Sequence, residues 1–253
     1  NEIGQLNIGI RDGKVAYLGD KNLNAELKIN ANDLIILPGG IDPHVHVDQP
    51  SGDDVIMADD FQSATKSAAA GGNTTILPFA MQIKGQSLRK CVQDYHKKAS
   101  GNLYIDTSFH LIISDPTPQV LGQELPALSK DGYTSFKVFM TYDDLVLNDK
   151  ELIEVFDVAK KLNTLVMVHA EGYDSIKYLS DKFEKEGKTA PYYHAPTRPQ
   201  IVEREATHRA ISHAQIVDIP LMIVHVSGEE ALNQIRWAKD KGIKVFSETC
   251  PQY

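Results

Sequence analysis

The sequence predicts an α/β fold, a TIM-like (β/α)8 barrel that stops after its seventh strand and follows part of a small β-sandwich. Three observations lead to this prediction. From residue 35 onward, short apolar strands alternate with amphipathic helical stretches, which is typical of parallel β/α units. The length of 253 residues is the usual size of one such barrel. Four histidines fall at the carboxyl ends of predicted strands, where a β/α barrel has its active site.

Two domains are predicted along the chain. Residues 1–34 contain the short β patterns 6–10 and 15–18, separated by a turn at 11–14, and we assign them to part of the small β-sandwich. Residues 35–253 are assigned to the barrel, which is incomplete at its C-terminal end.

The barrel part is predicted as strands and helices in strict alternation. Its apolar strands are expected at residues 41–47, 74–79, 104–113, 134–140, 165–169, 221–226 and 244–248. The first helix is predicted to begin at a cap on Asp59 or Asp60 and to end at Ala70, before Gly71-Gly72. Further helices are predicted at residues 87–98, 119–130, 149–161, 174–187, 198–217 and 229–241.

The predicted strands are one short of the eight that close a barrel. A barrel of eight parallel strands has no edge, whereas seven would leave apolar edges on both sides of a gap. We therefore expect the chain to be part of a longer protein. An open doubly wound sheet tolerates edges and is the alternative, but the positions of the histidines favour the barrel.

Charge and composition exclude several classes of partner. The formal net charge of -8, with Lys and Arg scattered among Asp and Glu, provides no basic stripe for nucleic acid. No apolar run reaches the roughly 18 residues that cross a bilayer, so no membrane partner is expected. Two cysteines are too few for a disulfide framework, and we expect a cytoplasmic protein.

A metal site is predicted from His44 and His46. Residues i and i+2 of a strand point to the same side, so both imidazoles can face one metal ion. His169 and His225 follow later strands at the equivalent level. A single histidine of this kind is more often packed or on the surface. Four at equivalent positions of one barrel favour metal binding instead.

Lys137 interrupts an otherwise apolar strand, residues 134–140. A buried ammonium carries a large desolvation cost unless it is paired. Snorkelling to solvent or a salt bridge would account for it without any function. The functional interpretation is that burial lowers the pKa of the amine, which then captures carbon dioxide and becomes an anionic carbamate that bridges two metal ions.

Taken together, these motifs resemble the dihydropyrimidinase and hydantoinase branch of the amidohydrolase superfamily. The resemblance rests on residues 38–46, 135–142, 168–171 and 223–227, and it extends over essentially the whole chain. It implies that the barrel is of the amidohydrolase type.

The resemblance also implies a site and a reaction. The implied cofactors are two Zn²⁺ ions per subunit, bridged by N6-carboxylated Lys137 and a hydroxide. One zinc would be held by His44 and His46, and the other by His169 and His225. Tyr142 matches the tyrosine that in this family binds the substrate carbonyl and its developing oxyanion. An aspartate on strand eight, which donates the proton to the leaving nitrogen, would lie beyond this sequence.

The expected activity is hydrolysis of the cyclic amide of 5,6-dihydropyrimidines, dihydrouracil to N-carbamoyl-β-alanine, or of hydantoins, in a homotetramer. Allantoinase and dihydroorotase share the fold and the metals. A dihydroorotase typically has an arginine two residues after the second histidine, where this chain has Asp48, a side chain of the wrong sign. A non-enzymatic scaffold related to dihydropyrimidinase is a further alternative, although all five ligand residues of this region are retained.

Overall fold

The structure is a computed structural model that describes residues 4–51 and 55–253. It divides into two compact units, with the division between Pro38 and Gly39. The smaller unit contains an antiparallel hairpin of β1 (Asn7–Arg11) and β2 (Lys14–Gly19). Asp12 and Gly13 form its two-residue turn, and both have positive φ, as a type I′ turn requires. The hairpin is present where the sequence predicts it; its assignment to a β-sandwich stays a prediction.

The larger unit is a curled parallel sheet of seven strands, which confirms the predicted barrel that lacks one strand. The strands are β3 (Gly40–Val45), β4 (Asn73–Met81), β6 (His110–Ile112), β7 (Ser135–Phe139), β8 (Leu165–His169), β9 (Leu221–Ile223) and β10 (Val245–Ser247), and a short strand β5 (Asp106–Thr107) also pairs with β4. They lie side by side in chain order. All their carboxyl ends therefore meet at one end of the sheet.

Seven α-helices connect these strands. They are α1 (Phe61–Ala70), α2 (Leu88–Ala99), α3 (Leu125–Lys130), α4 (Asp149–Leu162), α5 (Tyr173–Lys185), α6 (Gln200–Val217) and α7 (Glu229–Asp240), counted over the described residues. Asp60 caps α1 by accepting the backbone N–H of Ser63 at 2.7 Å. Asn148 and Glu151 form a capping box at the start of α4. Across the part of the chain that the structure describes, no helix is long and apolar enough to span a bilayer.

Side-chain alternation divides the core into two layers. Phe136 and Val138 of β7 belong to the large cluster that also contains the buried residues of α2 and α4 and four buried apolar residues of α6. Phe139 belongs to a smaller cluster with Ile112 and Met167 from the neighbouring strands. Lys137 shares the face of Phe139 by the two-residue period of a strand, so it points away from the helices.

Three predicted elements differ from the structure. The single strand expected at 104–113 is wrong, because the structure has β5 and β6 with a break between them. The break lies beside Pro78 of β4, which has no N–H to donate to a ladder. The helix expected at 119–130 begins with a π-helical turn, Val120–Glu124. The helix expected from 198 begins at Gln200, after a 3₁₀ segment and Pro199.

Candidate metal centre

Lys137 is completely buried, with 0% of its surface exposed. Its Nζ has no hydrogen-bond partner among the described residues and lies 5.1 Å and 5.2 Å from the ring centroids of Phe79 and Phe139. Neither snorkelling nor a salt bridge therefore explains this lysine. Burial lowers its pKa from 10.5 to about 7, so a substantial fraction of the side chain is the neutral amine at neutral pH.

The four histidines singled out from the sequence meet at the carboxyl end of the sheet. His44 lies on β3 and His46 just after it, while His169 ends β8 and His225 follows β9. The ring centroids of His44 and His46 are 5.5 Å apart, those of His44 and His225 also 5.5 Å, and those of His169 and His225 4.5 Å. Residues from three separate strands thus form one cluster.

Three imidazoles of this cluster, those of His46, His169 and His225, are held in their neutral form. Burial lowers the pKa of His46 to about 4 and that of His225 to about 2, and neighbouring positive charge adds to the shift. Burial also lowers the pKa of His169, against the opposing effect of its hydrogen bond to Glu171. A neutral imidazole keeps a lone pair free, which is the form that binds zinc.

Hydrogen-bond partners orient two of these rings. Gln49 Oε1 lies 2.8 Å from His46 Nδ1, and Gln49 Nε2 donates to the carbonyl oxygen of Phe79 at 2.9 Å. Because the amide oxygen accepts, His46 Nδ1 carries the proton and Nε2 is left as the free acceptor. Glu171 Oε2 lies 2.7 Å from His169 Nε2, which leaves Nδ1 free by the same reasoning.

Two carboxylates, those of Glu171 and Glu248, contact histidines of this cluster. Glu171 contacts His169 through its Oε2, and its Oε1 lies 3.8 Å from Arg198 Nε. Glu248 was not singled out, yet its carboxylate contacts His44 Nδ1. Gln49 was also missed, and no local motif distinguishes it, because its role depends on a neighbouring strand.

Tyr142 stands at the mouth of the cluster. Its ring centroid is 5.0 Å from that of His169, and burial raises the pKa of its hydroxyl, which stays protonated at neutral pH. The backbone at Tyr142 has φ 74°, and Asp48 and His225 have φ 50° and 37°. Such left-handed conformations are costly for residues other than glycine and are often found at functional sites.

A cavity of about 280 Å³ opens over this cluster. It is lined by His46, Gln49, Met81, Ile112, Lys137, Phe139, Tyr142, Leu145, His169 and His225. Apolar side chains form one part of the wall, and the imidazoles, the lysine and the tyrosine form the other. A small, partly apolar molecule in this cavity would therefore lie against the imidazoles, the lysine and the tyrosine.

Four histidines and the buried Lys137 could supply donor atoms to a metal centre. In residues 4–51 and 55–253, no three His, Cys, Asp or Glu side chains gather closely enough to hold a metal together. His44 and His46 form one pair of histidines, His169 and His225 form another, and Lys137 lines the same cavity as three of these residues. A carbamate on Lys137 would add an oxygen ligand to each pair, so the residues present fit two zinc ions linked through this lysine.

The remaining histidines lie elsewhere or are already bonded. His110 is buried in β6, where its two ring nitrogens contact Ser135 Oγ and the carbonyl oxygen of Pro43. His96 lies on α2, and His208 and His213 lie on α6. His194 lies in the 3₁₀ segment Pro191–Thr197, beside Arg198.

The amidohydrolase family profile matches residues 35–249, which is most of the chain. The chain belongs to the amidohydrolase family. Among relatives of this family, a D-hydantoinase from Geobacillus stearothermophilus is 46% identical over 100% of this chain and 54% of its own length. The fold and the family expected from the sequence are confirmed.

Two solved structures are similar to this chain in both fold and sequence. A D-hydantoinase structure has a TM-score of 0.95 and 45% identity, covering 99% of this chain and 55% of its own. The dihydropyrimidinase structure from Brevibacillus agri NCHU1002 has a TM-score of 0.85 and 41% identity, covering 95% of this chain and 52% of its own. The chain thus spans about half the length of these relatives.

Proposed function

We propose that this chain supplies most of the metal centre of a zinc-dependent cyclic amidohydrolase. The proposed reaction opens the cyclic amide of 5,6-dihydropyrimidines, hydantoins or both. The observation that carries the proposal is the buried Lys137, whose amine has no partner among the described residues and lies in a cavity that three neutral histidines also line. The family and the names of the relatives support the substrate class.

The proposed ligands divide into two pairs. His44 and His46 would hold one zinc ion, His169 and His225 the other, and carboxylated Lys137 would join them. When bound, the two ions would lower the pKa of a water molecule enough to provide hydroxide at neutral pH. The imidazoles of His46 and His225 need no deprotonation before they bind, because burial already keeps them unprotonated.

Tyr142 has the proposed role of donating its hydroxyl proton to the carbonyl oxygen of the substrate. As the amide carbon becomes tetrahedral, negative charge grows on this oxygen, and a fixed hydroxyl stabilises it. The raised pKa of Tyr142 keeps the donor protonated. The strained backbone at this residue fixes its position independently of the substrate.

Asp48 supports the choice of a neutral cyclic amide as the substrate. Its carboxylate lies 3.1 Å from Lys98 Nζ, and its carbonyl oxygen also accepts from that ammonium at 2.6 Å. The position where a dihydroorotase typically has a carboxylate-binding arginine is therefore an acid paired with a lysine of α2. No feature of this position favours an anionic substrate.

Metal analysis and turnover of the complete protein test the proposal. We expect two zinc ions per chain and hydrolysis of 5,6-dihydrouracil, hydantoin or both. Protein from zinc-supplemented cells that contains no metal would support a non-enzymatic scaffold instead. A metallated protein that leaves both compounds intact but hydrolyses allantoin or dihydroorotate would identify one of the two sister activities. As the resemblance implies, we also expect a homotetramer, which sedimentation would measure.

A further inference from the structure

Glu203, on the first turn of α6, binds the loop that follows His225. Its Oε1 accepts the backbone N–H of Ser227 at 2.8 Å. Its Oε2 accepts the backbone N–H of Gly228 at 2.8 Å and the hydroxyl of Ser227 at 2.9 Å. One carboxylate therefore accepts three hydrogen bonds from two consecutive residues of this loop.

This carboxylate also substitutes for a local helix cap. Gly228 is the N-cap residue of α7 and has no side chain to accept the first N–H groups of that helix. Glu203 satisfies the N–H of Gly228 from a different helix and places negative charge at the positive end of α7. A Cβ on Gly228 would lie 2.9 Å from Glu203 Oε2, so the close approach of the carboxylate requires glycine there.

The same turn of α6 also holds the loop that follows His169. The carbonyl oxygen of Val202 accepts the N–H of Gly172 at 3.2 Å. Consecutive residues of α6, Val202 and Glu203, are thus bonded to the loops after β8 and after β9. The rings of His169 and His225, at the starts of those loops, are 4.5 Å apart.

We propose that Glu203 is a positioning residue that fixes His225 against His169 and so strengthens binding of the zinc held by this pair. This inference rests on the proposed two-metal function. His225 has φ 37°, a conformation that persists only where its surroundings enforce it. Upstream, Val224 N–H is bonded to Val168 O at 3.2 Å, and downstream Glu203 holds Ser227 and Gly228. Without the Glu203 bonds, the segment after His225 would be held mainly through Val226, whose N–H donates to the carbonyl oxygen of Glu248 at 2.8 Å, and the position of His225 would be less restricted.

The test compares Glu203→Gln with Glu230→Gln in the complete zinc protein. Glutamine keeps the size of the side chain, but its NH2 group cannot accept a bond from an N–H. Glu230 lies on α7 and pairs with Arg204 of α6, with 3.1 Å between Nη1 and Oε2, so its variant removes a carboxylate between the same two helices without touching Ser227. Competition with dipicolinate measures the affinity of each zinc, and the Co²⁺ absorption spectrum reports its geometry.

In Glu203→Gln we expect one of the two zinc ions to bind at least about tenfold more weakly, with an altered Co²⁺ spectrum. We expect Glu230→Gln to retain both ions at wild-type affinity. Unchanged competition curves and spectra in Glu203→Gln would overturn the inference while leaving the proposed function intact. A wild-type protein that binds no zinc would overturn both.

Ser227→Ala keeps the test decisive if Glu203→Gln does not fold. This variant removes only the hydroxyl bond to Glu203 and leaves the two backbone bonds. We expect a smaller weakening of the same single zinc ion, about two- to threefold for the loss of one hydrogen bond of roughly 0.5 kcal/mol. If Glu203→Gln does not fold, wild-type affinity for both ions in a folded Ser227→Ala protein would overturn the inference.

Discussion

The side-chain nitrogen of Lys137 lies 5.1 Å from the centroid of the Phe79 ring, in the interior of the barrel sheet. The ring of Phe79 also lies 4.7 Å from that of His44 and 4.9 Å from that of His46. Phe79 therefore supports the lysine and the first pair of histidines at once, and it keeps water from one side of them. Loss of hydration in these apolar surroundings lowers the pKa of the Lys137 amine.

Replacement of Lys137 by alanine is expected to abolish the two-metal centre. The change removes the side chain that would link the two histidine pairs in the proposed site. Zinc content measured by mass spectrometry should fall from two ions to one or none, and added propionate should restore part of it by supplying a carboxylate. Lys161→Ala, which removes an exposed partner of Asp157, should keep both ions. Full zinc content in Lys137→Ala would disprove the carbamate.

Carbon dioxide is expected to control reconstitution of the metal-free protein. Carbamate forms from the neutral amine, and Lys137 has a pKa of about 7, so the reactive fraction rises as the pH is raised through 7. At a fixed concentration of dissolved carbon dioxide, zinc uptake should therefore be faster than in degassed buffer, and the difference should be larger at pH 8 than at pH 6. Equal uptake in both buffers at every pH would contradict this prediction.

Tyr142→Phe is expected to lower kcat about 100-fold, with a much smaller change in KM, because the lost hydroxyl acts mainly on charge that develops in the transition state. Steady-state kinetics on 5,6-dihydrouracil or hydantoin measure both constants. Tyr173→Phe is the matched control, since the hydroxyl of Tyr173 donates to Asp143 on the surface. A variant of Tyr142 that changed KM alone would assign the residue to binding only.

Acidification is expected to destabilise the metal-free protein as the pH falls from 6.5 towards 4. The folded-state pKa values of His46 and His225 are about 4 and about 2, below the ordinary 6.5. The unfolded chain therefore binds more protons in this range, and the free energy of unfolding decreases as the pH is lowered. Urea unfolding at several pH values measures this slope. His225→Gln should reduce the slope, and an identical slope in that variant would exclude His225 as a contributor.

Asn148→Ala is expected to lower the free energy of unfolding by about 1 kcal/mol. The side chain of Asn148 accepts the N–H of Glu151 at 3.0 Å, and the variant leaves this N–H without its cap at the start of α4. Calorimetry of the metal-free protein provides the measurement. Asn233→Ala, within α7 and away from its first turn, should change the stability by much less. Equal losses in the two variants would show that the cap is not the cause.

Local patterns were enough to predict most of the fold. Short apolar runs predict the seven strands, and a cap at Asp59 or Asp60 and the glycines after Ala70 predict the ends of α1, which the structure caps at Asp60. They did not predict the break between β5 and β6, because the cause lies in another strand, where Pro78 withholds a donor. They also failed to show that a 3₁₀ segment precedes Gln200.

The sequence by itself determined the type of barrel, the His44 and His46 pair at the carboxyl end of the first barrel strand, and the anomaly of a lysine in an apolar strand. Such features are visible because the strand period is local and burying an ammonium is costly in any fold. Only the tertiary structure decided that Lys137 has no partner among the described residues, that Gln49 orients His46, and that Glu203 holds the loop after His225. Lys137 and Glu203 lie far along the chain from the residues that surround or bind them, and Gln49, only three residues from His46, is held by Phe79 of the neighbouring strand. Each relationship therefore depends on how the strands and helices pack, which no local pattern specifies.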